Sequence, residues 1–194
     1  LAVTIGSGKR PSPLSTAVDD RFYMIRQSAV FGPPGSYVSL AESDLYDATA
    51  NLVQVGTTAE VAAAKTLLAA KSGWYIDLTR SGEKVLSTPL SFRNTVTFTT
   101  YEPSNDISSC VPKAGTSRVY QLKLLDASAV TDWDTIEGLQ TTDRSFELQT
   151  PSIVDEPVII CTGSGCDLFT GAEKPPLDTL SSGSIIKTFW RQEQ

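Results

Sequence analysis

The sequence predicts a mainly β protein that forms the last two to three blades of a β-propeller and carries a small helical insertion. Two repeated patterns indicate this fold class. The first is an apolar or β-branched run that enters a loop, found in LAVTIGSG (1–8), TVTFTTYEPS (95–104) and PVIICTGSG (157–165). The second follows at a loop's distance, in RFYMIR (21–26), RVYQLK (118–123) and, in looser register, KTFWRQ (187–192). Repeated antiparallel strands are typical of radial architectures, with a β-sandwich as the alternative.

A third repeat predicts a hairpin at the start of a unit. STPLSFRNTV (87–96) aligns without gaps with QTPSIVDEPV (149–158). Each segment then has a two-residue polar turn between strands, Arg93-Asn94 in the first and Asp155-Glu156 in the second. The first unit lacks this opening strand, because the chain starts in the strand that follows it. The predicted blade units, all within one domain, are approximately residues 1–78, 79–147 and 148–194.

The number of units leads us to expect an incomplete ring. A propeller closes with roughly four to eight blades, and an open set exposes the apolar flank of a blade. We therefore expect an N-terminally truncated protein. The remaining blades are expected to come from the same full-length protein or from another chain.

Residues 42–72, between the first two units, are predicted to form the helical insertion. Two segments favour helix, ESDLYDATANL (42–52) and TTAEVAAAKTLLAAKSG (57–73). The second has Thr57 and Glu60 as a capping box and Gly73 as its stop. One apolar face is expected to dock this helix on a blade, through Val61, Ala64 and Leu68. The insertion is either a binding element or a cover for a strand edge. GWYIDL (73–78) is then expected to form the outermost strand of the first blade.

The composition excludes several classes of function. The 194 residues include no histidine, which removes the usual Ser-His-Asp and Cys-His catalytic arrangements and most transition-metal sites. A net charge of -6 without a Lys/Arg cluster argues against nucleic acid as a partner. Because no apolar run approaches roughly 18 residues, we expect no membrane insertion. The N-terminal LAVTIGSGKR lacks the features of a signal peptide, so any export signal is expected to lie upstream or to have been removed.

Three cysteines, Cys110, Cys161 and Cys166, are an odd number. In CTGSGC the two glycines let the chain turn back, which predicts a disulfide between Cys161 and Cys166 and suits an exported protein. A bridge from Cys110 to Cys166 and three free thiols are the alternatives. Three thiolates without histidine make a poor zinc site, and a cysteine nucleophile would lack its usual base.

The other candidate motifs are interpreted as structural. The Gly-Ser-Gly loops follow strands and do not launch helices, which favours turns over a phosphate cradle. DWDTIEG (132–138) has Ile136 where a calcium loop needs an oxygen ligand, which favours a solvated loop. Carboxylate pairs in turns seldom oppose each other across a cleft, as glycosidase chemistry requires. These pairs are Asp19-Asp20, Glu42 with Asp44, and Asp155-Glu156.

The large aromatic residues favour blade packing over a sugar-stacking platform. They are Trp74, Trp133, Trp190, Tyr23, Tyr75 and Tyr120. The sequence therefore predicts no catalytic, cofactor-binding or metal-binding residue.

An ordered series of segments carries a family resemblance. It runs through GSGKRPSPL, DDRFYMIRQ, SDLYDATANL, GWYIDL, GEKVLSTPLSFRNTVTFTTYEPS, a cysteine, GTSRVYQLKLLD and KTFWRQ. In this series the chain resembles the C-terminal propeller of the PilY-type (also called PilC-type) tip proteins of bacterial type IV pili. The resemblance implies a modified seven-bladed, quinoprotein-like propeller in a large exported protein. It also implies a structural partner for Cys110, because the family often has a cysteine there.

The resemblance implies a function as well. The family supports pilus assembly and extension, lies at the pilus tip with minor pilins, and contributes to adhesion. Its members are not known as enzymes. The family's calcium-binding loop has no counterpart in this sequence, so calcium is expected only elsewhere in a full-length protein.

Two functional hypotheses follow. The first is a non-catalytic fragment of a pilus-tip adhesin, exported to the cell surface or held in the periplasm or outer membrane during assembly. Its expected partners are the remaining blades, minor pilins and a host or abiotic surface ligand. The alternative is part of a quinoprotein-like or carbohydrate-active propeller enzyme, with a cofactor or sugar bound on the propeller axis.

Overall fold

A computed structural model of the chain describes residues 1–27, 39–104, 114–134, 136–162 and 165–176. These residues form a mainly β structure with one α-helix, as the sequence predicts. Their strands form three sheets, here named A, B and C in chain order. The predicted strand KTFWRQ (187–192), Cys110 and Trp190 lie outside the described residues.

Sheet A has four strands in the order β1-β2-β4-β3. They are β1 (Ala2–Gly6), β2 (Arg21–Arg26), β3 (Tyr46–Asp47) and β4 (Gly73–Asp77). The strands β1, β2 and β4 pair antiparallel, whereas β3 is parallel to β4. LAVTIGSG, RFYMIR and GWYIDL therefore contain strands, as predicted. The prediction that GWYIDL is outermost is wrong, because β3 lies beyond it at that edge.

The predicted helix over residues 42–52 is also wrong. Only Glu42–Asp44 is helical, as a single 3-10 turn, and β3 follows it. The Asp47 carboxylate accepts a hydrogen bond from the Thr49 backbone N–H at 2.9 Å, a local bond that competes with helix formation. Asn51 has a left-handed φ of 55°, which a helix cannot accommodate. These side chains therefore direct the segment into turns.

The second predicted helix is confirmed as α1 (Thr58–Ala70). The Thr57 backbone N–H donates to Glu60 Oε2 at 2.8 Å, and the Glu60 N–H donates back to Thr57 Oγ1 at 3.3 Å, so the capping box is present. Ala64 and Leu68 are buried in the core, and Val61 is half-buried. The helix docks by the predicted face.

Gly73 does not stop the helix as predicted. The C-terminal cap is Lys71, and Gly73 is the first residue of β4. A Cβ atom at this glycine would lie 1.9 Å from the Met24 carbonyl oxygen. Glycine is therefore required by the close approach of β2 and β4.

Sheet B is built on the long strand β7, which pairs with β5 and β6 on one side and β8 on the other. Its strands are β5 (Lys84–Val85), β6 (Leu90–Phe92), β7 (Thr95–Glu102), β8 (Thr116–Lys123) and β9 (Ser145–Glu147). Arg93 and Asn94 have φ of 49° and 62°, the two left-handed residues of a type I′ turn between β6 and β7. The predicted hairpin is confirmed.

Sheet C contains β10 (Val158–Thr162) and β11 (Gly165–Phe169), which pair antiparallel. The hairpin predicted over residues 149–158 is wrong, since no strand precedes β10 there and neither Asp155 nor Glu156 has a positive φ. Backbone groups of this segment bond elsewhere: the Val154 carbonyl accepts from Thr99 Oγ1 at 3.3 Å, and the Ser152 carbonyl accepts from Ser117 Oγ. The segment is thus held on sheet B by side chains.

The three sheets stack in layers. Between A and B, the Phe22 ring stacks on Phe98 with ring centroids 3.7 Å apart, and Phe98 stacks on Tyr120 at 4.9 Å. A second, smaller core joins B to C and the preceding segment, through Val119, Leu148, Val154 and Leu168. Sheet B is consequently buried on both faces. The division of the chain into numbered blades stays a prediction.

Candidate functional site

A pocket opens between sheets A and B beside the 3-10 turn Thr142–Arg144. Its volume is about 450 Å³. Three arginines line it, namely Arg80, Arg118 and Arg144. The other polar lining residues are Asp77 and six with hydroxyl groups: Thr49, Thr79, Tyr120, Thr141, Thr142 and Ser145. The pocket therefore concentrates hydrogen-bond donors around a small volume.

Arg144 is the most unusual of these side chains. The 3-10 turn runs directly into β9, and the pairing of β9 with β8 fixes its position. The guanidinium is buried, with 4% of the residue exposed, and donates to the carbonyl oxygens of Ala48 (2.7 Å) and Thr49 (3.0 Å). Its Nε is buried without a hydrogen-bond partner. Among the described residues no carboxylate forms an ion pair with it.

Burial lowers the pKa of Arg144 from its ordinary value to about 10. The side chain therefore remains a cation at neutral pH. Asp126 and Asp47 act on Arg144 through space and raise its pKa by less than burial lowers it. A buried cation without an ion-pair partner is costly, because the low-dielectric interior does not replace its hydration. An anion in the pocket would reduce that cost.

A buried network connects Arg80 to the interior of sheet B. Arg80 Nη1 donates to Tyr120 Oη at 3.0 Å and contacts Glu83 Oε2 at 3.3 Å. The Glu83 carboxylate is fully buried and accepts from Thr100 Oγ1 (2.6 Å) and Tyr120 Oη (2.9 Å). Burial and the nearby Glu83 carboxylate raise the pKa of Tyr120. The charge of Arg80 is thus compensated by Glu83.

The remaining charges at the pocket are also paired. Arg118 forms an ion pair with Glu147, and Asp77 accepts a hydrogen bond from Arg21 Nε. The Nε of Arg118 is nevertheless buried without a partner, like that of Arg144. The pocket therefore has one arginine without an ion pair among the described residues, Arg144, and two unsatisfied guanidinium N–H groups.

The cysteine pair predicted from CTGSGC lies at the hairpin of sheet C. Cys161 and Cys166 face each other in the β10–β11 register and are joined by a disulfide. Cys166 is buried, whereas Cys161 is exposed. The disulfide links β10 to β11, so neither of these two cysteines has a free thiol.

A third carboxylate, from Asp143, lies close to Asp132 and Asp134 of the DWDTIEG segment, and the sequence analysis did not identify it. Asp143 brings a carboxylate oxygen within 4.8 Å of carboxylate oxygens of Asp132 and Asp134. Asp143 is buried and accepts from the backbone N–H groups of Trp133 (3.2 Å) and Gln140 (2.7 Å). Both of its oxygens are therefore used in holding the loop.

Four of the paired carboxylates noted in the sequence each bond to a different partner. Asp20 accepts from Ser7 Oγ at 2.7 Å, and Asp44 accepts from the Ala41 N–H at 2.8 Å. Glu42 forms an ion pair with Arg21, and Asp155 forms one with Arg10. Each of these side chains stabilises a turn or a connection between elements.

The aromatic residues divide between core and surface. Trp74 is fully buried and Tyr120 belongs to both core and pocket network, whereas Trp133 packs on Phe146 with centroids 5.2 Å apart. Tyr23 and Tyr75 lie side by side on sheet A, with ring centroids 6.1 Å apart.

Sequence reasoning missed the arginine pocket altogether. Arg80, Arg118 and Arg144 are widely spaced in the chain and form no motif. The one available signal was Arg118, which the RVYQLK repeat included as a strand residue. The sheets bring the three together, so the pocket exists only in the folded chain.

The fold and the pocket define a stacked β-sheet module with a small arginine-lined pocket. A structure comparison finds the crystal structure of the Pseudomonas aeruginosa PilY1 C-terminal domain, with a TM-score of 0.60 and 13% sequence identity. The match covers 89% of this chain but 40% of that one, so the chain spans less than half of its length. The predicted likeness to a PilY-type C-terminal region is confirmed at the level of the fold.

Comparison with protein-family models and with curated proteins finds no match to this sequence. In the part of the chain that the structure describes, no helix has the length and apolar character needed to cross a bilayer.

Proposed function

We propose that the chain is part of an exported propeller protein of type IV pili and acts there as a non-catalytic scaffold. In this role it supports pilus assembly and extension and contributes to surface adhesion at the pilus tip. The fold likeness to the PilY1 C-terminal domain supports the proposal. The exposed apolar faces of the sheet stack are the observation that carries it.

The outer face of sheet A is largely apolar, with the Arg21–Asp77 ion pair at one end of it. Val3 and Ile5 of β1 are 50% and 54% exposed. The register places Ile5 opposite Tyr23, and Tyr23 opposite Tyr75, so one apolar row crosses three strands. Ile25, opposite Val3, belongs to the next row. Contiguous apolar patches of this kind mark interaction surfaces.

The outer face of sheet C, at the opposite end of the stack, also exposes apolar side chains. Val158 and Ile160 of β10 are 52% and 51% exposed and share one face of sheet C. Next to them lies a groove of about 340 Å³, lined by Leu90, Phe92, Pro157, Val158, Ile159 and Cys161. The three-sheet stack is thus apolar at both ends.

We propose that further blades of the same full-length protein cover these two faces. In a propeller each blade buries its faces against its neighbours, as sheet B already does between A and C. The PilY1 structure supports this occupant, since the chain matches only 40% of it. Minor pilins and a surface ligand are proposed to bind the completed ring.

The test is a gene deletion in the organism that encodes the chain, followed by complementation. We expect deletion to reduce the number of surface pili and the adhesion of cells, and the native gene to restore both. An Ile5→Glu variant is expected to fail, because its charge would lie between adjacent blades. Leu67→Glu is the matched control, since Leu67 is 57% exposed on α1, away from the outer face of sheet A.

Two outcomes would contradict the proposal. Normal piliation after deletion would remove the pilus function. Full rescue by Ile5→Glu, with the protein present at normal levels, would show that no blade covers sheet A. The alternative enzyme hypothesis requires uptake of a quinone or an oligosaccharide by the complete protein, which equilibrium dialysis measures.

A further inference from the structure

We propose that the arginine pocket between sheets A and B binds the carboxylate group of an acidic sugar. The inference is independent of the pilus function, because it rests only on the groups that line the pocket. Neither the apolar outer faces nor the predicted blade contacts use these residues.

Arg144 defines the charge of the ligand. It is 4% exposed, has no carboxylate partner among the described residues and leaves its Nε without a hydrogen bond. Buried polar groups in native proteins are nearly always hydrogen-bonded, so an unsatisfied guanidinium N–H at a pocket points to an absent acceptor. An anionic acceptor would also supply the missing counter-ion.

The other charged residues favour a ligand with one negative charge. Arg80 is paired with Glu83, and Arg118 with Glu147. Asp77 also lines the pocket, and it shares Arg21 with Glu42. Arg144 is thus the pocket arginine without an ion pair among the described residues. The Asp77 carboxylate opposes a second negative charge, so a carboxylate matches the pocket better than a phosphate dianion. Guanidinium groups bind carboxylates with well-defined geometry, and the Nε–H of Arg118 is likewise buried without a partner.

The rest of the lining indicates a hydroxylated ligand. Six residues with hydroxyl groups contribute to the pocket. Tyr120 already bonds to Glu83 and Arg80, and Thr49 Oγ1 already accepts from the Asp77 N–H. Each of the other four hydroxyls can both donate and accept. The volume of about 450 Å³ lies within the range of small-molecule sites, roughly 300–1,000 Å³. A sugar ring that bears one carboxylate combines both requirements, and we therefore name a hexuronic acid as the ligand class.

The test is calorimetric titration of the full chain with glucuronate, glucose, acetate and inorganic phosphate as separate probes. We expect glucuronate to bind at least about tenfold more tightly than acetate, and glucose to show no measurable binding. Glucose lacks the carboxylate, and acetate lacks the hydroxyl groups. Phosphate tests the alternative of a dianion site.

Two variants locate the binding. Arg144→Gln is expected to abolish glucuronate binding, but it also removes hydrogen bonds to Ala48 and Thr49 and so affects folding. Thr142→Glu avoids this problem, because Thr142 is exposed at the pocket and its new charge would repel an anion. It is expected to weaken binding about tenfold or more. Thr58→Glu, an identical change at an exposed residue outside the pocket, is the matched control.

The proposal is overturned if glucuronate binds no better than glucose, or if Thr142→Glu and Thr58→Glu bind it equally. Phosphate binding tighter than glucuronate would overturn the assignment to a carboxylate. If Arg144→Gln does not fold, the glucuronate affinities of Thr142→Glu and Thr58→Glu decide whether the ligand binds in this pocket.

Discussion

Replacement of Phe98 by alanine tests the stacking of sheets A and B. The Phe98 side chain is fully buried, so its transfer from water contributes about 2 kcal/mol that alanine largely loses. Its ring also stacks on Phe22 and on Tyr120, and each such aromatic pair adds about 0.5–1.5 kcal/mol. The expected loss in the free energy of unfolding is therefore about 3–5 kcal/mol, the usual range for a buried phenylalanine.

Urea unfolding followed by tryptophan fluorescence measures this loss. Trp74 is a suitable probe, because its ring lies 6.0 Å from Phe22 in the same core. The matched control is Phe92→Ala. Phe92 is only half-buried, in the groove between β6 and β10, and its replacement is expected to cost about 1 kcal/mol. A loss below about 1 kcal/mol for Phe98→Ala, with an unchanged dependence on urea, would refute the face-to-face packing of the two sheets.

Three further predictions concern local structure. Asn94→Ala is expected to lower the free energy of unfolding by about 1 kcal/mol, because alanine is strained at a φ of 62°, whereas Asn94→Gly has little effect in the same urea assay. Hydrogen bonds from Thr57 lower the pKa of the Glu60 carboxyl group. The capping box therefore stabilises α1 fully when the pH is above the ordinary pKa of 4.5. This stabilisation is lost as the pH falls through the lowered pKa. Urea midpoints measured across this pH range are expected to fall less in Glu60→Gln than in the native chain, and equal slopes would contradict the assignment. Serine at both Cys161 and Cys166 is expected to cost about 2 kcal/mol, since the closed loop is short, and an unchanged thermal midpoint would show that the bridge does not constrain the unfolded chain.

The local elements followed from local sequence signals. The Thr57–Glu60 capping box and the apolar face of α1 are both set by residues within a few positions of one another. The Arg93-Asn94 turn is similar, because the hairpin twist requires two left-handed residues in sequence. RFYMIR forms the strand predicted from its repeat, and its alternating burial shows that alternate residues face opposite sides of the sheet.

Two of the incorrect predictions have different physical causes. The segment before β10 matches STPLSFRNTV in sequence, yet Thr99 and Ser117 of sheet B bind its carbonyl groups and Glu173 accepts its N–H groups at Gln149 and Thr150. The helix expected over residues 42–52 gives way to β3, which gains a parallel partner in β4. In the first case groups distant in the chain compete for the backbone, and no local pattern reveals them. In the second case the local Asp47–Thr49 hydrogen bond and the left-handed Asn51 also oppose the helix.

The sequence alone determined the mainly β character, the capped helix and the first hairpin, because these depend on neighbouring residues. The tertiary structure decided the order of the sheets, the apolar ends of the stack and the pocket. Arg80, Arg118 and Arg144 illustrate the difference. Each is an ordinary polar residue in the chain, and only the packing of sheet A on sheet B buries Arg144 without a counter-ion. Burial and long-range charge pairing are properties of the folded molecule, and they give these arginines their chemistry.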